Sequence, residues 1–334
     1  MADVISRATR TSRIAGMLAL VLVAVLIAAP WWGSIATERL IGEFMIYLAL
    51  ASLWNLMAGY TGLVSVGQQA YVGFGAYVLI SLVLLAGWHP LFAVPAAGLA
   101  AAVIAIPVAA LVFRLQGAYF AIGTWVVAEV FRLICAQLAV LGGGSGISLP
   151  ATAMKVLGDG RAVREATIYW LALALGIAAV AVVYGLLRSR VGLALTAIRD
   201  NETASVSLGI RITRIKYAVY VVVAGLTGMV GCLIELQKVR MSPDAAFSVN
   251  DWTAFVIFIV VIGGIGTIEG PIIGTLVYFT LREFLADLGS IYLMILGVLA
   301  IVIMLLAPKG IWGFVKDRFG LSLFPTGYRI ISKD

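Results

Sequence analysis

RSRVGLALTAIRDNETASVSLGIRITRIK, residues 188–216, is the one long polar interruption in the second half of a strongly apolar chain. Apolar runs flank it at 167–187 and 217–238, each long enough to cross ~30 Å of hydrocarbon. The interruption carries Arg188, Arg190, Arg199, Arg211, Arg214 and Lys216, yet its pattern is not that of a solvated linker. Gly192 to Arg199 reads as a short helix with Leu195 and Ile198 on one face. Asp200 and Asn201 offer side-chain oxygens to cap a second piece. That piece runs to Leu208, where Gly209 can adopt the left-handed turn that ends a helix. Two short helices between two spans make a small folded surface on one side of a membrane.

Composition agrees. The 334 residues are 63% hydrophobic and only 12% charged, against roughly 25% charged for a soluble domain. The net charge of +7 is concentrated in a few loops, as topology requires of a polytopic protein, so it does not point to nucleic acid. Cys135 and Cys232 both lie in apolar runs and form no disulfide or metal pattern. His89, the only histidine, precedes Pro90 in a turn. No Ser/His/Asp set, paired histidines or phosphate-cradling glycine loop is present, so neither a membrane-embedded enzyme nor ATP binding by this chain is supported, and no cofactor is expected.

Working outward, spans are predicted near 14–32, 43–58, 64–86, 91–113, 118–140, 167–187, 217–238, 252–268, 270–286 and 290–307. These ten give an all-α polytopic protein with a tail at 1–13, a transmembrane domain at 14–307 and a tail at 308–334. Charge orients them. With the N-terminus inside, the inner segments hold Arg7, Arg10, Arg13, Arg114, the six basic residues of 188–216, Lys309, Lys316, Arg318, Arg329 and Lys333. The outer segments hold only Arg39, Lys155, Arg161, Arg164, Lys238 and Arg240. That asymmetry follows the positive-inside rule and puts both tails and the 188–216 loop in the cytoplasm.

Glycine-rich breaks occur at 59–69, 142–147 and 263–271. Non-helical backbone at membrane depth survives only against protein or a wet cavity, and transporters build substrate paths from such interrupted helices. The first and third breaks share a loose G-x-x-G rhythm, a weak trace of an internal repeat. Gln68 and Gln69 beside the first break are polar without a local reason, so one of them is expected to face water or solute. Gly73, Gly75 and Gly274, inside smooth spans, read as packing positions. Glu129 and Arg132 can pair on one helix face. Glu235 lies beside Lys238, Glu43 near a span start, and Arg282 with Glu283 near a span end. Mutual neutralisation accounts for these charges. A proton relay has the same appearance, which keeps an ion-coupled carrier as the competing reading.

The segments GLVSVGQQAYVGFGAY (62–77), LQGAYFAIGTWVVAEVFRL (115–133), GGGSGI (142–147), GLALTAIRDNETASVSLGI (192–210), GGIGTIEGP (263–271) and PKGIWG (308–313) stand in a familiar order and spacing. Over about 40–318 the chain resembles the LivM-type permease of branched-chain amino acid ABC importers. GGGSGI departs from the TGGxxGI form of many relatives. The resemblance implies an ABC importer permease fold, a prokaryotic inner-membrane location and a half-pore without enzymatic activity of its own. It implies four kinds of partner besides lipid: a second related permease, ABC ATPase subunits, an extracytoplasmic solute-binding protein and a small-molecule substrate. Related permeases carry urea, short amides and other amino acids, so the solute stays open. The loop that meets the ATPase corresponds to Gly192, Ala197, Arg199, Asp200, Asn201, Glu202, Leu208 and Gly209, with Arg199 and Glu202 placed to pair across the turn. Candidate path residues are Gln68, Gln69, Tyr71, Tyr119, Thr124, Gly143 and Ser145.

The orientation has a direct check. With Cys135 and Cys232 replaced, Asp159→Cys should react with an impermeant thiol reagent from outside, and Asn201→Cys only from inside. Labelling of both from one side would overturn the ten-span reading, which puts one crossing, 167–187, between the two positions.

Overall fold

The computed structural model describes residues 4–6, 10–285, 288–289, 291–319, 323–325 and 329–331. Arg7 and Lys333, which enter the charge comparison, lie outside them. The protein is an all-α bundle. In chain order its helices are α1 (Arg10–Ile27), α2 (Ala29–Trp32), α3 (Ile35–Asn55), α4 (Gln68–Leu85), α5 (Pro90–Val112), α6 (Ala118–Gln137), α7 (Ala151–Lys155) and α8 (Arg161–Arg188). There follow α9 (Arg190–Asp200), α10 (Glu202–Ser207), α11 (Ile212–Lys238), α12 (Pro243–Ala246), α13 (Phe255–Gly263), α14 (Glu269–Leu285), α15 (Ile291–Leu306) and α16 (Gly310–Phe319). Strands among the described residues form two short antiparallel pairs. β1 (Val4–Ser6) pairs with β4 (Arg329–Ile331), and β2 (Ile147–Ser148) with β3 (Arg240–Met241).

Among the described residues eight segments are long and apolar enough to cross a membrane: 35–60, 68–85, 90–112, 118–137, 161–188, 212–238, 243–263 and 291–319. Two of the ten predicted spans are not among them. The first is a shorter apolar helix, Thr11–Ile27, and the ninth is the 17-residue α14. Boundaries also move. The span read from 43 begins at Ile35, because the charge of Arg39 is carried within the helix by Glu165 of α8 (Nε to Oε2, 2.9 Å). The span read from 167 begins at Arg161 for the same reason.

α3, α4 and α11 form the centre of the bundle. The most apolar window of α3 is 78% buried and that of the C-terminal segment only 6%, so α15 runs along the outside. Lipid is as apolar as leucine and drives no helix association, so close packing must do so. Small residues supply it. A Cβ on Gly231 would lie 1.9 Å from the Val72 carbonyl oxygen, and one on Gly75 would lie 2.0 Å from that of Gly228. Gly98 of α5 meets Met229 of α11 in the same way. Gly73 accepts the Phe247 ring, and Gly274 sits against the Ile259 carbonyl. The packing expected of Gly73, Gly75 and Gly274 is what the bundle shows.

Tertiary contacts also reassign the charges. Arg282 makes a two-pronged bond to Glu43, at 2.7 and 2.8 Å, and its pairing with Glu283 is not needed. Glu235 is 0% exposed and neither oxygen has a hydrogen-bond partner among the described residues. Its expected neighbour Lys238 instead lies over the Trp252 ring, 4.8 Å from the centroid.

Gly231→Leu forces side chain into backbone that cannot withdraw, so it should destabilise the purified protein by at least about 1–3 kcal/mol. Gly297→Ala, which meets nothing within 4 Å, should leave the melting temperature unchanged or slightly higher.

Candidate functional site

The first and third breaks meet. α3 passes through a π-helical turn, Leu56–Tyr60, and the chain then leaves helical geometry until α4. Buried Asn55 ties the two breaks together. Its Nδ2 donates to the Thr267 carbonyl at 2.7 Å, and its Oδ1 accepts from the Gly266 amide at 2.8 Å. Gly59 lies so close to Gly266 that a Cβ would be 2.5 Å from the Gly266 nitrogen. Several polar groups of the first break also find protein partners. Trp54 Nε1 donates to the Ser65 carbonyl, the Val66 amide to Thr124 Oγ1 and the Gly67 amide to Ser65 Oγ. In the third break the Thr267 hydroxyl donates to the Gly264 carbonyl and accepts from the Gly270 amide. Gly310, with φ +72°, packs on Gly264, bringing PKGIWG against GGIGTIEGP.

The 188–216 loop sits on this junction. α9 and α10 are the two predicted short helices, with α9 extended to Arg190 and Asp200. Asn201 caps α10 by accepting from the Ala204 amide at 2.9 Å. Asp200 is the last residue of α9 and does not cap; it accepts from Arg199 Nε at 3.1 Å. Gly209 has φ +78°, the left-handed turn expected after α10. Gly192, Leu195 and Ile198 are buried and fasten α9 to the bundle, whereas Leu208 is 77% exposed and Leu193 and Val206 are also open. Ala197 is half-buried. The expected pairing of Arg199 with Glu202 is not formed. Glu202 accepts instead from Lys216 of α11, at 2.9 Å, and the Arg199 guanidinium lies over the Tyr60 ring, 5.8 Å from its centroid. Arg199 therefore stands over Tyr60 of the first break and close to Gly266 of the third. α11 brought Lys216 to Glu202, a contact that sequence spacing alone does not reveal.

A cavity of 710 Å³ opens beside the loop, lined among others by Gly62, Leu63, Phe113, Gln116, Glu202 and Lys216. The candidate path residues are dispersed through the bundle rather than gathered in its lining. Gln68 and Gln69 are buried in helix packing. Gln68 Nε2 donates to the Leu50 carbonyl at 3.0 Å, and Gln69 Oε1 accepts from the Thr253 hydroxyl. The other end of each amide, Gln68 Oε1 and Gln69 Nε2, has no partner among the described residues. Tyr71 donates to the Tyr220 hydroxyl at 3.0 Å, and Thr124 braces the first break. Tyr119, on the same helix as Thr124, is 74% exposed. Gly143 and Ser145 stand at the opposite end of the bundle. There Gly146 abuts the Met241 carbonyl and β2 pairs with β3. Among the described residues no three His, Cys, Asp or Glu side chains are grouped to hold a metal ion.

Residues 36–307 match the family model described as branched-chain amino acid transport system / permease component. The chain belongs to this permease family. Two similar proteins are the high-affinity branched-chain amino acid transport system permease proteins LivM of Escherichia coli and Salmonella typhimurium. They are 30% and 29% identical over 327 residues, covering 90% and 91% of this chain and 76% of each relative. No solved structure matches the chain. The family match spans all three glycine breaks and the whole loop, and ends just before the PKGIWG segment that packs on the third break.

Asn55 is the residue that sequence reading passed over; it is a single polar side chain in an apolar run, which was the available signal. Asn55→Leu removes both hydrogen bonds and leaves two backbone groups unpaired, at a cost of about 1–3 kcal/mol each. The melting temperature of the purified permease should fall accordingly. Asn55→Asp keeps the acceptor for Gly266 and should recover part of the loss.

Proposed function

We propose that this chain is a membrane-spanning permease subunit of an ATP-driven importer for branched-chain or related amino acids. It resides in a prokaryotic inner membrane with both termini in the cytoplasm. ATP hydrolysis takes place on separate ATPase subunits, and a solute-binding protein delivers substrate from the other side, with a second permease completing the path. One observation carries this reading: the α9–α10 elbow is clamped to the bundle on one face and joined through Arg199 to the meeting point of two interrupted helices. A partner that pushes on the elbow moves the two breaks together. The open apolar side chains Leu193, Val206 and Leu208 supply the contact that such a partner needs, because interfaces take most of their affinity from a few central side chains. Gly192, Ala197 and Gly209 shape the surface, and Asp200, Asn201 and Glu202 hold its turns.

Solute crosses near the first break. Gln68 and Gln69 are buried, with one amide end each tied to the fold and the other without a partner among the described residues, so a solute meets them only when the packing around the first break opens; Tyr71 and Thr124 hold that region in place. The cavity beside Glu202 and Lys216 gives the solute a way out on the cytoplasmic side. Ala118 and Phe120, the neighbours of Tyr119, line this exit, and Gly143 and Ser145 shape the entrance at the other end.

Ala197→Glu and, separately, Leu208→Asp place a charge on the contact face while leaving every span intact. Loss of one central contact typically costs about 2 kcal/mol, roughly 30-fold in affinity. Membrane abundance should be normal, uptake should fall at least about tenfold, and ATP hydrolysis by the reconstituted complex should no longer respond to loaded binding protein. Full stimulation with full uptake in both variants would make the loop a linker.

A further inference from the structure

At the ends of α3 and α11 remote from the 188–216 loop lies a cavity of 210 Å³ with a charged rim and an apolar floor. Arg39 and Glu43 reach the rim from the first turns of α3, and Lys238 is the last residue of α11. The floor is Ile46, one turn further along α3, Ile234, one turn earlier on α11, and Trp252, all buried. Gln237 closes the gap between the two helices beside Gly42, where a Cβ would lie 2.8 Å from its Nε2. Positions 39, 43 and 46 share one helix face, as do 234, 237 and 238, so two faces build both rim and floor.

The rim charges differ in what already holds them. Arg39 is bound to Glu165 at 2.9 Å. Glu43 accepts one bond from Arg282 on each oxygen, at 2.7 and 2.8 Å, and each carboxylate oxygen can accept a second. Lys238 has no carboxylate partner among the described residues. Its ammonium lies 4.8 Å from the Trp252 centroid, and Glu235, one turn earlier, makes no bond to it. Trp252 is itself fixed, since its Nε1 donates to the Ala245 carbonyl at 2.8 Å. The ring thus holds a cation at the cavity's mouth and takes none of its hydrogen-bond donors. A bare anion would meet Glu43 here, and a bare cation would meet Lys238. A free amino acid with an apolar side chain meets neither objection, because its carboxylate accepts from Lys238, its ammonium donates to Glu43 and its side chain lies on Ile46, Ile234 and Trp252. The volume is below the roughly 300–1,000 Å³ of pockets for drug-sized ligands, which suits one amino acid and not a peptide. Two other cavities lack the combination. Beside the loop, Glu202 and Lys216 already bind each other, and a 270 Å³ cavity lined by Phe74, Phe131 and Cys135 among others has no charged group.

We infer that the cleft between α3 and α11 is a binding site for a zwitterionic amino acid with an apolar side chain, its carboxylate on Lys238 and its ammonium on Glu43. This rests on the reading that the chain serves import of branched-chain or related amino acids. It adds a first station for the solute, at the end of the bundle opposite the loop, on the side where the binding protein delivers it in that reading.

The test uses the full importer assembly in nanodiscs and, as probe, a leucine analogue carrying a diazirine in its side chain. Irradiation should attach the probe to Ile46, Ile234 or Trp252, located by mass spectrometry. Excess L-leucine should suppress the adduct, whereas leucinamide, which lacks the carboxylate, and 4-methylpentanoate, which lacks the ammonium, should not. Lys238→Gln removes a charge-assisted bond and should lower labelling at subsaturating probe by at least about tenfold. Lys238→Arg should restore it. Lys238→Gln breaks no ion pair, so the melting temperature should change little, which separates lost binding from lost folding. Labelling confined to other segments, suppression by either analogue as strong as that by L-leucine, or full labelling of Lys238→Gln would overturn the inference. Uptake of L-leucine by the same assembly in vesicles is measured in parallel. Uptake without labelling of the cleft overturns the inference alone. No uptake of any branched-chain amino acid overturns the reading it rests on, and the inference with it.

Discussion

Hydrocarbon offers no hydrogen bonds, so each backbone group released from a helix inside the bilayer must be met by another part of the protein. The permease breaks its helices three times, and the architecture is largely the answer to that demand. Asn55 serves two carbonyl and amide groups of a segment more than two hundred residues away. Thr124, Trp54, Ser65 and Thr267 serve the rest. The first break is held by Trp54, Ser65 and, from a distant helix, Thr124, and the third by Asn55, so the two segments are packed as one unit.

The loop completes the device. α9 is anchored by buried Leu195 and Ile198, and α10 is drawn to the bundle by Glu202 to Lys216. Arg199 extends from the loop to Tyr60 and the neighbourhood of Gly266. A rigid elbow fixed to a jointly held pair of breaks differs from a tether, which would absorb any push in its own flexibility.

Elsewhere the bundle separates two ways of covering a membrane helix. Glycine-lined contacts between α4, α5 and α11 let backbones approach so closely that a methyl group would collide. α15 is left to lipid. Charges divide along the same line. Arg39 with Glu165 and Arg282 with Glu43 are closed within the chain, whereas Glu129, Arg132 and Asp244 stand on an open face.

Hydrophobic run length, basic asymmetry and glycine punctuation are local properties, and from them the all-α membrane class, the short helices of the loop, the Asn201 cap and the Gly209 turn were legible. So was the family, because its motifs are contiguous. Partners across the bundle were not. Arg199 had a plausible local mate in Glu202, yet tertiary packing brought Lys216 to that carboxylate and Tyr60 to the guanidinium. Glu43 found Arg282 across 239 positions, and the start of α3 moved outward because Glu165 neutralised a charge that otherwise marks a loop. The two glutamines announced a special site by being polar in apolar surroundings, but which end of each amide would be held depended on Leu50 and Thr253. Sequence alone determined the all-α class, the apolar runs and the cap and turn of the loop, since solvation and backbone freedom act residue by residue. Only the tertiary structure decided which break meets which and which charge is closed, since an unmet polar group in hydrocarbon takes whatever partner the packing brings within 3 Å.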